Sequence, residues 1–244
     1  MNLPLNVHWN SADAMKTILD VHFPTGKILD VNHSLGVFYK KVNREVVGVD
    51  IRPMTHIQAD NRALPFASDT FDVGVCDPPY RRGSTDTKYR DRYGHAPYTI
   101  KRASQQYFDL LPELLRVSRH GIIIKAQDET DGHKFYSRMF ALMSYMQELT
   151  GLEPCDVAYL VKTGVVDNNV GKGKGKPRHF MANCVSYFLV YRWVSKSPFR
   201  PIRFTGAAAN TACTRQGGFA PSQTLSTPEM FPAFEHDPTP TPCG

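Results

Sequence analysis

The sequence predicts an α/β protein built on one mostly parallel, seven-stranded sheet with helices on both faces and an antiparallel C-terminal hairpin. Three observations carry this expectation. Short apolar runs alternate with helix-period segments from residue 27 to residue 150, an order that forces crossover connections and therefore parallel pairing. Two further apolar runs, 156–163 and 185–194, have no helix-period segment between them, so they are expected to pair antiparallel at one sheet edge. Finally, 244 residues with a 41% apolar share can fill one sizeable core, the length of one domain or of one domain plus a tail.

The elements follow in order. Ser11 is placed to cap a short helix whose Met15, Ile18 and Leu19 share one face and which ends before Pro24-Thr25-Gly26. Residues 27–31 read as a strand, 36–44 as a short helix, and 45–50, 56–60 and 71–76 as three more strands. Tyr107, Leu110, Leu111, Leu114 and Leu115 recur at helical spacing and predict a helix over 103–118. A strand at 120–125 and an amphipathic helix at 134–150 precede the two final strands. These elements define an expected domain over 1–194. From residue 195 the composition changes, and eight of the 18 prolines fall in the last 50 residues among many Thr, Ser and Gly. Residues 195–244 therefore read as a disordered, non-catalytic tail.

Charge and cysteine usage narrow the setting. A net charge of +6 and a pI near 9.0 favour an anionic partner but say nothing about fold. No run reaches the roughly 18 apolar residues that a membrane span requires. The first residues lack the basic and apolar blocks of a secretory leader. Cys76, Cys155, Cys184, Cys213 and Cys243 are scattered and form no Cys-x-x-Cys pair, so they read as reduced thiols of a cytoplasmic protein, with no metal site.

The most informative residues are Asp77-Pro78-Pro79-Tyr80, at the end of the strand 71–76. The two prolines fix φ and remove two backbone donors, so the strand stops there, and Pro79 keeps Pro78 out of the helical region. What remains is a stiff segment with a carboxylate at one end, an aromatic ring at the other and free carbonyls between. Such a segment can accept the hydrogens of a planar amino group and stack the ring that carries it. Upstream, Asp30, Asp50 and Asp60 also close strands, so four successive strands end in a carboxylate. In an open α/β sheet, ligands bind beyond these carboxyl ends, where strand order reverses, and an acidic residue about 20 positions after the first strand suits a ribose diol. Asp50 stands there.

This pattern resembles the class I S-adenosylmethionine-dependent amino-methyltransferases, over about residues 12–194, and in particular small phage and actinobacterial-type DNA (adenine-N6) methyltransferases. The resemblance implies a Rossmann-like fold with S-adenosylmethionine as cofactor. Ser34 and Gly36 would form the cofactor turn after Asp30, with Ser34 in the place of a glycine, and Asp60, with Asn61 beside it, would meet the cofactor adenine. Asp77, Pro78, Pro79 and Tyr80 would be catalytic, Asp77 and the Pro78 carbonyl accepting amino hydrogens and Tyr80 stacking on the base. Asp followed by Tyr in this motif goes most often with adenine N6, although some RNA guanine-N2 enzymes share it. An RNA base methyltransferase and a catalytically inactive nucleic-acid-binding relative, the latter motivated by Ser34, stand as alternatives.

The nucleic-acid side falls on two basic segments. Residues 81–102 hold seven Lys or Arg against two Asp, among them Arg81, Arg82, Lys88, Arg90 and Arg92, with Tyr89, Tyr93 and Tyr98 interleaved. Cations neutralise phosphates and tyrosines stack on bases, so the segment reads as a contact to nucleic acid, double-stranded DNA first, or else as a lid. Lys172, Lys174, Lys176 and Arg178 alternate with glycine or proline and suit phosphate contacts that ignore sequence. By the same resemblance, His179 or Asn183 touches the target or stabilises a turn. Lys125 meets a phosphate or lies along the strand end with its charge in water.

Overall fold

The computed structural model describes residues 6–53, 55, 57–79, 100–131, 134–161 and 185–194. Strands β1 (Val7–His8), β2 (Ile28–Asp30), β3 (Val46–Asp50), β4 (Ile57–Gln58), β5 (Phe71–Cys76), β6 (Ser118–Ala126), β9 (Asp156–Val161) and β10 (Val185–Arg192) form one sheet, in the order β1-β9-β10-β6-β5-β2-β3-β4. Every pairing is parallel except those of β10, which runs antiparallel to both β6 and β9. The mostly parallel Rossmann-like architecture and the antiparallel hairpin are as expected. The sheet has eight strands rather than seven, because β1 adds itself parallel to β9. The hairpin is consequently not at the edge. Two residues are too short to show any alternation, which is why the sequence pattern is silent about β1.

Side-chain alternation sends successive residues of each strand to opposite faces, and each face has its own helix. Helix α1 (Ser11–His22) buries Ala14, Met15, Ile18 and Leu19 against Val73 and Val75 of β5, Ile123 of β6, and Phe188 and Val190 of β10. Burying one large aliphatic side chain is worth about 1.5–3 kcal/mol, so this face alone holds α1 in place. The helix is capped by Asn10 rather than Ser11, its side chain accepting from the Ala12 amide at 2.8 Å. Asn and Ser cap about equally well, so local chemistry does not choose between neighbours. On the other face, α2 (Ile100–Val117) lays Leu114 over Gly74. Helix α3 (Arg138–Thr150) packs on α2, with the Tyr145 hydroxyl donating to the Phe108 carbonyl at 3.1 Å.

Two expected helices differ from what forms. Over 36–44 there is only a 3₁₀ turn, Val37–Tyr39, held by i→i+3 bonds such as Tyr39 N to Gly36 O at 3.1 Å. Gly36 sits at φ 61°, left-handed backbone that does not lead into an α-helix, and only Phe38 of the three is buried. The expected helix over 134–150 begins at Arg138, capped by Ser137, because Lys134–Tyr136 (β8) pairs antiparallel with Glu129–Asp131 (β7). Three paired residues on each side are too few for a strand alternation to stand out from the helical spacing that follows. Among the described residues, no helix is long and apolar enough to cross a membrane.

Chain order reverses between β2 and β5. From β2 the chain steps outward to β3 and β4, then crosses back to β5 and proceeds to β6 in the other direction. A crevice opens at such a switch point. Its width depends on how closely α2 approaches the sheet, and Gly74 sets that approach. A Cβ there would lie 2.4 Å from Ser118 Oγ and 2.6 Å from Leu114 Cδ1. Gly74→Ala is expected to lower stability by about 1–3 kcal/mol through overpacking, read as a lower midpoint in thermal or urea unfolding. An unchanged midpoint would mean that α2 can lift without cost.

Candidate active site

Four strand ends converge on one cavity of about 480 Å³. The turn after β2 supplies Val31, Asn32 and Ser34; the end of β3 supplies Asp50, Ile51 and Arg52; and Asp60, Asn61 and Arg62 follow β4. Asp77 and Pro79 come from the end of β5, and α2 closes the cavity with Gln105, Gln106 and Asp109. Of the residues singled out from the sequence, Ser34, Asp50, Asp60, Asn61, Asp77 and Pro79 share this space.

The turn after β2 is held by carboxylates. Asp50 Oδ2 accepts from the Ser34 amide at 3.2 Å and its Oδ1 from the Arg52 amide at 3.1 Å. That bond holds Ser34 at φ 49°. A serine here keeps the left-handed conformation that its place in the pattern requires, at a backbone cost of about 1–2 kcal/mol that glycine would not incur. Gly36 is also left-handed, and a Cβ on it would lie 2.7 Å from His33 Nε2. His33 was not singled out from the sequence. Its ring stacks on Tyr39 at 5.6 Å and 8°, and a Cβ on Gly48 of β3 would lie 2.5 Å from its Cγ. His33 thus fills the space beneath the turn, where two glycines make room for it.

Three expected cofactor or catalytic residues take other places. Asp30 is buried, at 1% exposure, and outside the lining; its Oδ1 accepts from the Asn32 amide at 2.9 Å, and its Oδ2 lies 3.6 Å from His33 Nδ1. It shapes the turn from below. Gly36 is likewise outside the lining, its role being the room it leaves for His33. Pro78 is buried and not part of the cavity wall, whereas Pro79 is, its carbonyl accepting from Gln106 Nε2 at 3.5 Å. Asp60 faces the cavity but is gripped by Arg62, whose Nε and Nη2 donate to it at 3.0 and 2.6 Å. The Arg62 bonds outweigh partial burial and hold the Asp60 carboxyl below its ordinary pKa.

Lys125 overturns its expected place. It is 5% exposed, and its ammonium donates to both Asp77 oxygens, at 3.0 and 2.9 Å. A group so enclosed is not presented to a phosphate, nor does its charge reach water. The reason is register. Cys76 pairs with Ile124 across the parallel β5–β6 ladder, so the next residues, Asp77 and Lys125, stand side by side. Beneath the ammonium lies the Phe38 ring, 5.3 Å to its centre. Nearby, burial together with the charges of Asp30 and Asp77 pushes the Tyr39 phenol and the Cys76 thiol well above their ordinary pKa values, so both remain neutral.

Gln105, Gln106 and Asp109 were also missed. A signal existed: a helix that follows a parallel strand starts at the strand's carboxyl end, so the polar residues of its first turns rim the crevice. Tyr80, Arg81, Arg82, Lys88, Arg90, Arg92, Lys172, Lys174, Lys176, Arg178, His179 and Asn183 lie outside the described residues, as does the expected tail 195–244.

No protein-family profile matches the chain, and no curated protein matches its sequence. Solved structures resemble it in backbone path. A Bacillus halodurans protein provisionally described as a methyltransferase aligns at 12% identity over 74% of this chain and 98% of its own, with a TM-score of 0.47. A SAM-dependent methyltransferase of Thermotoga maritima aligns at 14% identity over 75% and 89%, with a TM-score of 0.41. One from Aquifex aeolicus aligns at 10% identity over 73% and 88%, with a TM-score of 0.38.

The left-handed turn can be tested directly. Ser34→Gly is expected to leave stability unchanged or raise it by up to about 1 kcal/mol, whereas Ser34→Val, β-branched at positive φ, is expected to lose about 1–3 kcal/mol. Urea unfolding of the two variants beside the parent reads both; equal stabilities would show that the turn relaxes to ordinary backbone.

Proposed function

We propose that this chain transfers a methyl group from S-adenosylmethionine to an exocyclic amino group of a nucleic-acid base, adenine N6 in DNA first among the candidates. The observation that carries the reading is the meeting of Asp77 and Pro79 with Ser34, Asp50, Asp60 and Asn61 on one cavity at the switch point of the sheet. An amino-group acceptor and a set of nucleoside-binding groups thereby stand within one ligand's reach.

The residues fit the cofactor. Its turn is left-handed at Ser34 and Gly36, which lets backbone approach a ligand closely. Asp50 faces the cavity as an acceptor for vicinal hydroxyls. Asp50, Asp60, Asp77 and Asp109 line it against Arg52 and Arg62, an acidic surplus that suits a sulfonium. When bound, the cofactor supplies an electrophilic methyl group.

The protein's part is positioning. An exocyclic amino nitrogen is a weak nucleophile because its lone pair is delocalised into the ring. Asp77, whose two oxygens accept from Lys125, is the carboxylate that would accept an amino hydrogen in this reading. That bond favours a pyramidal nitrogen and stabilises the positive charge growing on it. Orientation can contribute about 7–11 kcal/mol, which makes a strong base unnecessary. Tyr80, next in sequence to the lining Pro79, would stack on the target base. Extrusion from a duplex costs a few kcal/mol and stacking returns about 1–3.

The basic segments at 81–102 and 171–178 favour a polyanionic substrate over a small molecule. Mass spectrometry of nucleosides from cells expressing the intact chain, beside an Asp77→Ala version, tests the whole reading. N6-methyldeoxyadenosine is expected with the intact chain and at least about a hundredfold less with the variant, as for loss of one preorganised transition-state contact. Methylated ribonucleosides instead would assign an RNA substrate, and failure to bind the cofactor at millimolar concentration would indicate an inactive relative. Duplex affinity is further expected to fall at least about tenfold between 50 and 200 mM salt. A flat response would remove the phosphate contacts from the proposal.

A further inference from the structure

We propose that Gln106 of α2 is an acceptor of the target amino group, taking one of its hydrogens through Oε1. The inference rests on the reading that the end of β5 receives an exocyclic amino group. It deepens that reading, because it moves one grip on the substrate from a backbone carbonyl of the proline segment to a side chain of the facing helix.

The proline segment itself creates the need. An amino group has two hydrogens to place, and the resemblance assigns one of them to the Pro78 carbonyl. Pro78 is buried and stands outside the cavity wall. Pro79 is in the wall, and its carbonyl is turned to Gln106, whose Nε2 donates to it at 3.5 Å. The group that meets the cavity at this point is the Gln106 amide, which lines it.

The orientation of that amide follows from its one contact. A carbonyl oxygen can only accept, so Nε2 is the atom that faces Pro79 and Oε1 points elsewhere. Among the described residues nothing donates to Oε1, and the atom is not sealed from solvent. Gln105, its neighbour in the cavity wall, is committed differently, its Nε2 donating to Asp109 Oδ1 within the helix at 2.9 Å. Of the two, Gln106 is the one joined to the segment that carries Asp77.

The helix keeps this acceptor in place. Tyr107, next in the chain, is fully buried, and its hydroxyl donates to the Lys125 carbonyl at 2.9 Å, which seats α2 on the end of β6. Hydrogen bonds in series polarise one another, so an amide that donates to a carbonyl is a better acceptor at its own oxygen. An amide oxygen is also the atom type that a peptide carbonyl would have offered, and it carries no charge to be neutralised. Its chemical criterion is a primary amino group. A singly methylated one has a single N–H left, so it cannot engage two acceptors and is held less firmly.

The test uses the full chain with ¹³C at the glutamine side-chain carbonyls, saturated with S-adenosylhomocysteine so that the probe cannot take the nucleoside end of the cavity. The signal missing from Gln106→Leu assigns Gln106. That signal is expected to move on titration with 9-methyladenine and to stay in place with 9-methylpurine, which lacks the amino group. Gln106→Leu, similar in size and a good helix former, is expected to bind 9-methyladenine about fivefold more weakly than the wild type and 9-methylpurine equally. An unchanged 9-methyladenine affinity, or an equal shift with both purines, overturns the proposal. Should Gln106→Leu not fold, Gln106→Asn assigns the signal and the contrast between the two purines decides alone. A wild type that methylates neither DNA nor RNA yet shows that contrast refutes the transfer reading and leaves Gln106 as the amino-group acceptor. Base methylation with full kcat/KM in Gln106→Leu does the reverse.

Discussion

The ammonium of Lys125, sealed between the ends of two neighbouring parallel strands, governs where the rest of the site can be. A buried cation without a partner is costly, so Lys125 and Asp77 must remain together, and this binds the end of β5 to the end of β6. Parallel register then does the placing. Cys76 stands opposite Ile124, so the prolines that follow Asp77 leave the sheet at a set height and direction. A slip of one residue would turn Lys125 to the α2 face and break its bonds to Asp77.

A second constraint comes from the turn after β2. Its backbone is left-handed at a serine and at a glycine, and Asp50 holds the serine amide. His33 fills the space below, against Gly36 and Gly48 and over Tyr39. The shape of the upper surface therefore depends on packing underneath it. Asp30, buried beneath the same turn, belongs to this support rather than to the cavity wall. Strained backbone persists only where its surroundings overdetermine it, and here a carboxylate, an imidazole and a phenol do so together.

How much of this was legible depends on which physical signal each part carries. The long strands and the apolar faces of α1 and α2 were readable because periodicity reports burial directly, and Asp50, Asp60 and Asp77 because they end those strands. Other short elements were not: β1 has two residues, below any period, and the 3₁₀ turn gives only a truncated helical signature. The β7–β8 hairpin was hidden by the helical spacing just beyond it. Lys125 was misassigned for a different reason. Position in the chain shows that a residue lies at a strand end, but not which neighbouring strand faces it, and only the pairing of β5 with β6 reveals the partner. Gln105, Gln106 and Asp109 were missed because attention to the buried stripe of α2 ignores its other side.

The two-residue outer strands carry a consequence of their own. A wide, mostly parallel sheet would ordinarily present a long unpaired ladder at each margin, an invitation to another chain. Among the described residues β1 closes one flank and β4 the other, so each flank offers a brief row of amides and carbonyls. Short borders of this kind give a second copy little to zip onto. A protein that displays several apolar side chains, Trp9 among them, is thereby guarded against end-to-end polymerisation by the brevity of its outermost pairings.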